Sequence, residues 1–251
     1  MKKIRWLIIF AFIFAAGAYL YLSHAYIYRK IDQAKLKSPD KNQIFIISAN
    51  MDDAKTGEDL TYAALGDSLT AGVGVNNYKE AYPYLIAGRL ALGGSRVVLK
   101  DRSIPGAKTG DLSALVAQAI ADRPDVITLL VGVNDVHGKI SLAEFKNNYG
   151  VILKRLTKET EAKIYLVNIP FIGAPNLILP PYNYYFDWKT KRFNAVIKAL
   201  AETYQLGYID LYSETEAQFK KSGAHYSPDL FHPSAEGYAL WAEIIYGNIN
   251  K

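Results

Sequence analysis

The stretch from Val126 to Val131 (VITLLV) constrains the fold most. It is an almost unbroken apolar run, with Pro124-Asp125 before it and Gly132-Val133-Asn134-Asp135 after it. A strand with one face in water alternates polar and apolar residues, whereas a strand covered on both faces need not. The run therefore predicts a central parallel strand. Shorter strand signals flank it at Gln43–Ala49, Tyr62–Leu65, Arg96–Leu99, Lys163–Asn168 and Tyr208–Leu211. Helical patterns lie between them: Glu80–Leu92 ended by Gly93-Gly94, Leu112–Ala121, Ser141 to about Glu159, Trp188–Tyr204 and Ser234–Ile249. Ser141 stands at a capping position, with Glu144 three residues on. Asp52–Asp59 reads as a polar turn. Such alternation implies a parallel sheet with helices on both faces, whose working residues gather beyond the C-terminal strand ends.

The N-terminus has a different character. Lys2, Lys3 and Arg5 precede an uncharged run from Trp6 to Tyr28. About 20 apolar residues cross a bilayer, and a basic start suits a signal peptide or a signal anchor. Ser23 and Ala25 supply small residues for cleavage after Ala25. The length of the run and the tyrosines at 19, 21, 26 and 28 favour a retained transmembrane helix with an interfacial aromatic belt. Lys2, Lys3 and Arg5 argue for an inside N-terminus and an extracytoplasmic domain, while Arg29, Lys30, Lys35 and Lys37 pull the other way. Residues 1–28 are thus expected to form the anchor, 29–59 a juxtamembrane linker, helical at its start and then with a short strand, and 60–251 the main folded domain.

Charge and composition exclude several alternatives. Residues 1–41 carry eight basic and two acidic side chains, so the arm holds +6 and the rest of the chain −1 of the net +5. A nucleic-acid binder carries its basic patch on the folded body, whereas a basic arm fits a membrane surface. The chain contains no cysteine, which excludes a cysteine nucleophile, a cysteine-based zinc site, a disulfide framework and a lipidated N-terminal Cys.

Four short blocks carry chemistry. Gly66-Asp67-Ser68-Leu69 stands where a strand hands over to a helix. There Gly66 permits a tight turn, and Ser68 meets unpaired amides near a helix N-terminus. The block alone also fits an ordinary capped turn. Asp229-Leu230-Phe231-His232-Pro233 precedes the last helix. A serine nucleophile needs a general base, histidine has the appropriate pKa, and an acid fixes its tautomer. Asn134 follows the apolar strand, and its amide can donate to a developing oxyanion. Ser103-Ile104-Pro105-Gly106 follows another strand, and Gly106 can present a bare N–H; Gly110 is its competitor.

The order Ser68, Gly106, Asn134, His232 resembles the SGNH/GDSL hydrolase family from about Tyr62 to Ile249. That resemblance implies a three-layer α/β/α flavodoxin-like sandwich without a metal or organic cofactor. It also implies Ser68 as nucleophile, His232 as base and Asp229 as its partner. The oxyanion hole would comprise the Ser68 and Gly106 amides and the Asn134 side chain. The Gly-x-Ser-x-Gly elbow of the α/β-hydrolases is absent.

The expected function is ester hydrolysis outside the cytoplasm, on lipid or acyl esters. Removal of O-acetyl groups from envelope glycans is the alternative, and a non-catalytic envelope module is the reading from another class. Phe171–Trp188 is a long aromatic connection, either a substrate lid or a packing plug, with Tyr182, Tyr185 and Trp188 as candidate substrate contacts. His137 reads more simply as a surface residue than as a substrate contact. His225 reads as structural and His24 as interfacial, and Asp67 and Asp135 as turn braces. Neither nucleic acid nor a metal is expected as a partner.

Overall fold

The apolar run lies at the heart of a six-stranded sheet in the computed structural model, which describes residues 2–35, 39, 44–48, 59–94 and 96–249. Most of the polar turn expected at Asp52–Asp59 lies outside the described residues. The strands are β1 (Ile44–Ile47), β2 (Leu60–Gly66), β3 (Val97–Ser103), β4 (Val126–Leu130), β5 (Lys163–Val167) and β6 (Gly207–Ile209). Their spatial order is β1-β3-β2-β4-β5-β6. All pairs are parallel except β1 with β3. Without the antiparallel edge strand β1, this is the flavodoxin order. Every residue of β4 is buried, as a strand covered on both faces requires.

Helices α2 (Tyr82–Ala91), α7 (Leu211–Lys221) and α8 (Ala235–Ile249) form one covering layer; α3 (Ser113–Ala121), α5 (Leu142–Glu159) and α6 (Tyr182–Tyr204) form the other. The cap at Ser141 forms as expected, its hydroxyl accepting from the Glu144 amide at 3.1 Å. Helix α5 buries Phe145, Tyr149, Ile152, Leu153 and Leu156, an apolar stripe at helical spacing.

Several elements depart from the sequence reading. Strand β3 continues four residues past Leu99, through Lys100, Asp101, Arg102 and Ser103. Its charges are tolerated because they are paired: Arg102 donates twice to Asp122 at 2.7 Å. Helix α6 begins at Tyr182, not at Trp188. Pro181 stands at its N-cap, where a missing N–H costs no helical bond. Leu211 ends no strand but opens α7, which is capped by Asp210 accepting from the Ser213 amide at 3.1 Å. A short helix α4 (Val133–His137) follows β4 directly after Gly132.

Helix α1 spans Lys2–Lys35 and so runs on from the expected anchor into the helical start of the linker. Its first half is exposed and apolar, while Ser23, Ile27 and Ile31 are buried against the body.

Candidate active site

Three adjacent strands end at one level. Gly66 of β2 pairs with Ser103 of β3 on one side and with Leu130 of β4 on the other. The Ile104 amide also donates to the Gly66 carbonyl at 3.2 Å. Ser68, Gly106 and Asn134 follow these ends by two to four residues. Parallel register therefore brings all three loops to one rim.

Gly66 is required here for space. A Cβ on it would lie 2.1 Å from Thr70 Oγ1 and 2.3 Å from the Leu130 carbonyl oxygen. Ser68 does not stand at a helix N-terminus as expected. A series of turns from Ser68 to Gly74 carries it, closed by Ala71 N–H to Asp67 O and Val73 N–H to Ser68 O, both at 3.0 Å. Tyr238 of α8 pins this turn from beneath by donating to the Val73 carbonyl at 2.8 Å. Asp67 braces it, accepting from the Leu69 amide at 3.0 Å. Burial, reinforced by the charge of nearby Asp135, pushes the Asp67 carboxyl up to about 7.

His232 reaches Ser68 from the other end of the chain, with Nε2 2.9 Å from Ser68 Oγ. Its Nδ1 lies 3.0 Å from Asp229 Oδ2. A carboxylate only accepts, so this contact places the ring proton on Nδ1 and leaves Nε2 as the acceptor toward serine. Asp229 Oδ1 accepts from the Phe231 and His232 amides at 2.7 and 2.8 Å. Burial pushes the Asp229 carboxyl up, but the bonds and charge of His232 and the two amides outweigh it and bring it to about 2. The three-residue spacing works because Leu230 takes a left-handed conformation, φ 63°, which folds the loop back on itself. The Ala174 amide holds that strained residue by donating to its carbonyl at 2.7 Å.

Gly106 also has a left-handed backbone, φ 84°. Asn134 lies in the first turn of α4 and donates from Nδ2 to the Ala107 carbonyl at 3.0 Å, which ties it to the Gly106 turn. Gly110, the competitor, sits instead in a short 3-10 turn beside Asn148. Asp135 braces the strand end as expected: Thr109 donates to it from its hydroxyl at 2.6 Å and from its amide at 3.0 Å. At the far end of α4, Lys189 of α6 donates to the Val136 and Gly138 carbonyls at 2.6 and 3.0 Å. Tyr28 of α1 donates to the His137 carbonyl.

His137 is half-buried and lies among aromatic rings, not free on the surface. Its ring packs 4.3 Å from Phe186 and 5.3 Å from Phe231, and burial, aided by the Lys189 charge, lowers its pKa to about 3. His225 stacks on Phe219 at 5.2 Å, and His24 lies against Tyr28 at 4.5 Å.

A cavity of about 440 Å³ opens on the same side of the sheet, lined by apolar groups that include Val133, Ile169, Phe171, Ile178 and Phe186. None of Ser68, Asp229 and His232 lines it; His137 does, and Phe231 packs against both that ring and His232. The expected substrate contacts are placed elsewhere. Tyr182 donates to the Leu20 carbonyl of α1 at 3.1 Å. Tyr185 and Trp188 pack on each other, half-exposed, with Arg192 over the indole at 4.7 Å. Asn183, Phe186 and Thr190 line the cavity instead, because a helix starting at Tyr182 puts positions three and four apart on one inward face, while Tyr184 touches the cavity from its exposed rim.

Lys189, Tyr28, Thr109 and Tyr238 carry no sequence signal for these roles. Each acts through a contact between distant elements, and no local pattern marks it.

A family model described as GDSL-like lipase/acylhydrolase matches residues 64–240. The spore germination lipase LipC of Bacillus licheniformis is 25% identical over 210 residues, covering 73% of this chain and 93% of that protein. The crystal structure of the lipase/acylhydrolase from Enterococcus faecalis superposes with a TM-score of 0.64 at 23% identity, over 76% of this chain and 95% of that one. Axe2, an acetylxylan esterase from Geobacillus stearothermophilus, gives 0.61 at 20% identity, over 76% and 94%. The match to the family model spans the rim that holds Ser68, Gly106 and Asn134 and runs on through His232, and the chain belongs to the GDSL-like lipase/acylhydrolase family.

Proposed function

We propose that this protein is a membrane-anchored serine ester hydrolase, with its catalytic domain outside the cytoplasm, acting on lipid or other acyl esters. The observation that carries the reading is the continuous line of contacts from Ser68 Oγ to His232 Nε2 and from His232 Nδ1 to Asp229. In this mechanism His232 takes the Ser68 proton as the hydroxyl oxygen attacks the ester carbonyl. The oxyanion is held by the Ser68 and Gly106 amides and the Asn134 side chain. Collapse expels the alcohol, protonated by His232, and leaves an acyl group on Ser68. Water activated by His232 then releases the acid and restores the serine. Asp229, held ionised, keeps the imidazole in the tautomer this requires and stabilises its cation.

The anchor rests on helix α1, whose exposed apolar part is long enough to cross a bilayer. A second reading, removal of O-acetyl groups from envelope glycans, is favoured by the fold likeness to an acetylxylan esterase.

Turnover of para-nitrophenyl acetate by the full chain in detergent tests the mechanism. Wild type should be active and Ser68→Ala inert. Equal slow rates for both would support a non-catalytic module instead. A rate that peaks at acetyl and collapses at octanoyl would favour the glycan deacetylase. Protease accessibility of a C-terminal tag in spheroplasts tests the orientation, and full protection would overturn it.

A further inference from the structure

Helix α1 changes surroundings part-way along. Its side chains are exposed from Lys3 to Leu22, apart from half-buried Ala18, and Ser23, Ile27 and Ile31 then turn one face into the protein. At 1.5 Å per residue, Ile4 to Leu22 is about 28 Å long, close to the thickness of a bilayer's hydrocarbon core at ~30 Å. The helix therefore reaches the headgroup level in the turn Tyr19–Leu22. The catalytic domain is already bonded to it there: Tyr19 donates to the Pro180 carbonyl at 2.8 Å, and Tyr182 donates to the Leu20 carbonyl at 3.1 Å. No slack remains between membrane exit and docking site.

The protein surface at that level has the chemistry of an interface. No charged residue occurs between Lys163 and Asp187. Pro175, Asn176, Pro180 and Pro181 are exposed, and Tyr184 is 70% exposed. Amphipathic aromatic rings with neutral surroundings are what the bilayer boundary favours. Pro175 and Tyr184 also form part of the wall of the 440 Å³ cavity, which is largely apolar, with Asp187 and Lys220 as its charged lining residues.

We infer that the Gly173–Tyr184 face of the catalytic domain rests on the phospholipid headgroup region, with the cavity opening onto the bilayer. The apolar chain of a membrane amphiphile then passes from lipid to cavity without crossing water. The inference rests on the membrane-anchored reading above and adds to it a fixed orientation of the domain.

The absence of cysteine makes the test direct. Full-length Asn176→Cys and Glu161→Cys are labelled with an environment-sensitive fluorophore and reconstituted into phosphatidylcholine–phosphatidylglycerol vesicles. Glu161 is exposed just before β5, at the sheet end opposite Ser68. Both variants should float with the vesicles, and Glu161→Cys should keep wild-type turnover. The label at position 176 should shift to shorter wavelength and lose most of its emission to nitroxide-headgroup lipid, while that at 161 should do neither. Flotation with equal behaviour at the two sites would overturn the orientation and leave the anchor standing. A blue shift at 176 without nitroxide quenching would mean that a second copy covers the face, and would equally overturn it. Failure to float would remove the anchor and the orientation together.

Discussion

Tyr28, on the helix expected to be only an anchor, donates its hydroxyl to the carbonyl of His137, the last residue of α4. The first turn of α4 carries Asn134, so α1 helps to fix the helix that presents a candidate oxyanion donor. A single hydrogen bond contributes about 0.5–1.5 kcal/mol, so Tyr28→Phe should lower kcat about two- to tenfold with KM nearly unchanged. Kinetics on the full chain in detergent checks this. A rise in KM at constant kcat would mean that Tyr28 shapes binding and does not position Asn134.

Asp229 accepts from the Phe231 and His232 backbone amides besides the His232 ring, and an asparagine there keeps one accepting oxygen. Asp229→Asn should therefore fold, yet present an NH₂ to Nδ1 and favour the wrong imidazole tautomer. Turnover should fall about 1,000- to 10,000-fold. A loss below about tenfold would mean that the acid partner lies elsewhere.

Asp67 is fully buried, and its pKa is raised to about 7. A pKa raised on folding means that the native state binds the proton more tightly than the unfolded chain does. Its contribution is present below the unfolded value of about 4 and is lost as pH rises through about 7. Wild type should lose stability across that window, and Asp67→Asn should flatten the profile there. Urea unfolding at a series of pH values measures it; parallel profiles would show that Asp67 does not titrate there.

Gly66→Ala should destabilise by about 3 kcal/mol, because the added methyl meets Leu130 backbone and the Thr70 side chain at well under contact distance. The fall in urea midpoint tests this. A loss of under about 1 kcal/mol would show that the β2 end yields easily.

The parallel sheet, the covering helices and the four chemical blocks were legible in the sequence because each leaves a local signature: an apolar run, a capped periodic helix, a glycine before serine, an aspartate three residues before histidine. Charges and aromatics misled the reading at three places. Lys100, Asp101 and Arg102 hid the end of β3, whose Arg102 is neutralised by Asp122 in another element. The tyrosines after Pro181 hid the start of α6, because aromatic residues occupy both its buried and its exposed faces. Asp210 looked like part of a strand end, but caps α7 while also accepting from Asn168 at 2.7 Å.

The sequence alone named the residues that could cleave an ester and the segments that carry them, since side-chain identity and the succession of strands along the chain are read locally. Tertiary structure decided the rest. The short helix that carries Asn134 is held at its far end by Lys189 and Tyr28, and the half-buried ring of His137 packs against Phe186 and Phe231. Helix α1 is clasped by the domain it was expected merely to tether. These are contacts between segments far apart in the chain, and their formation depends on packing geometry that no local pattern encodes.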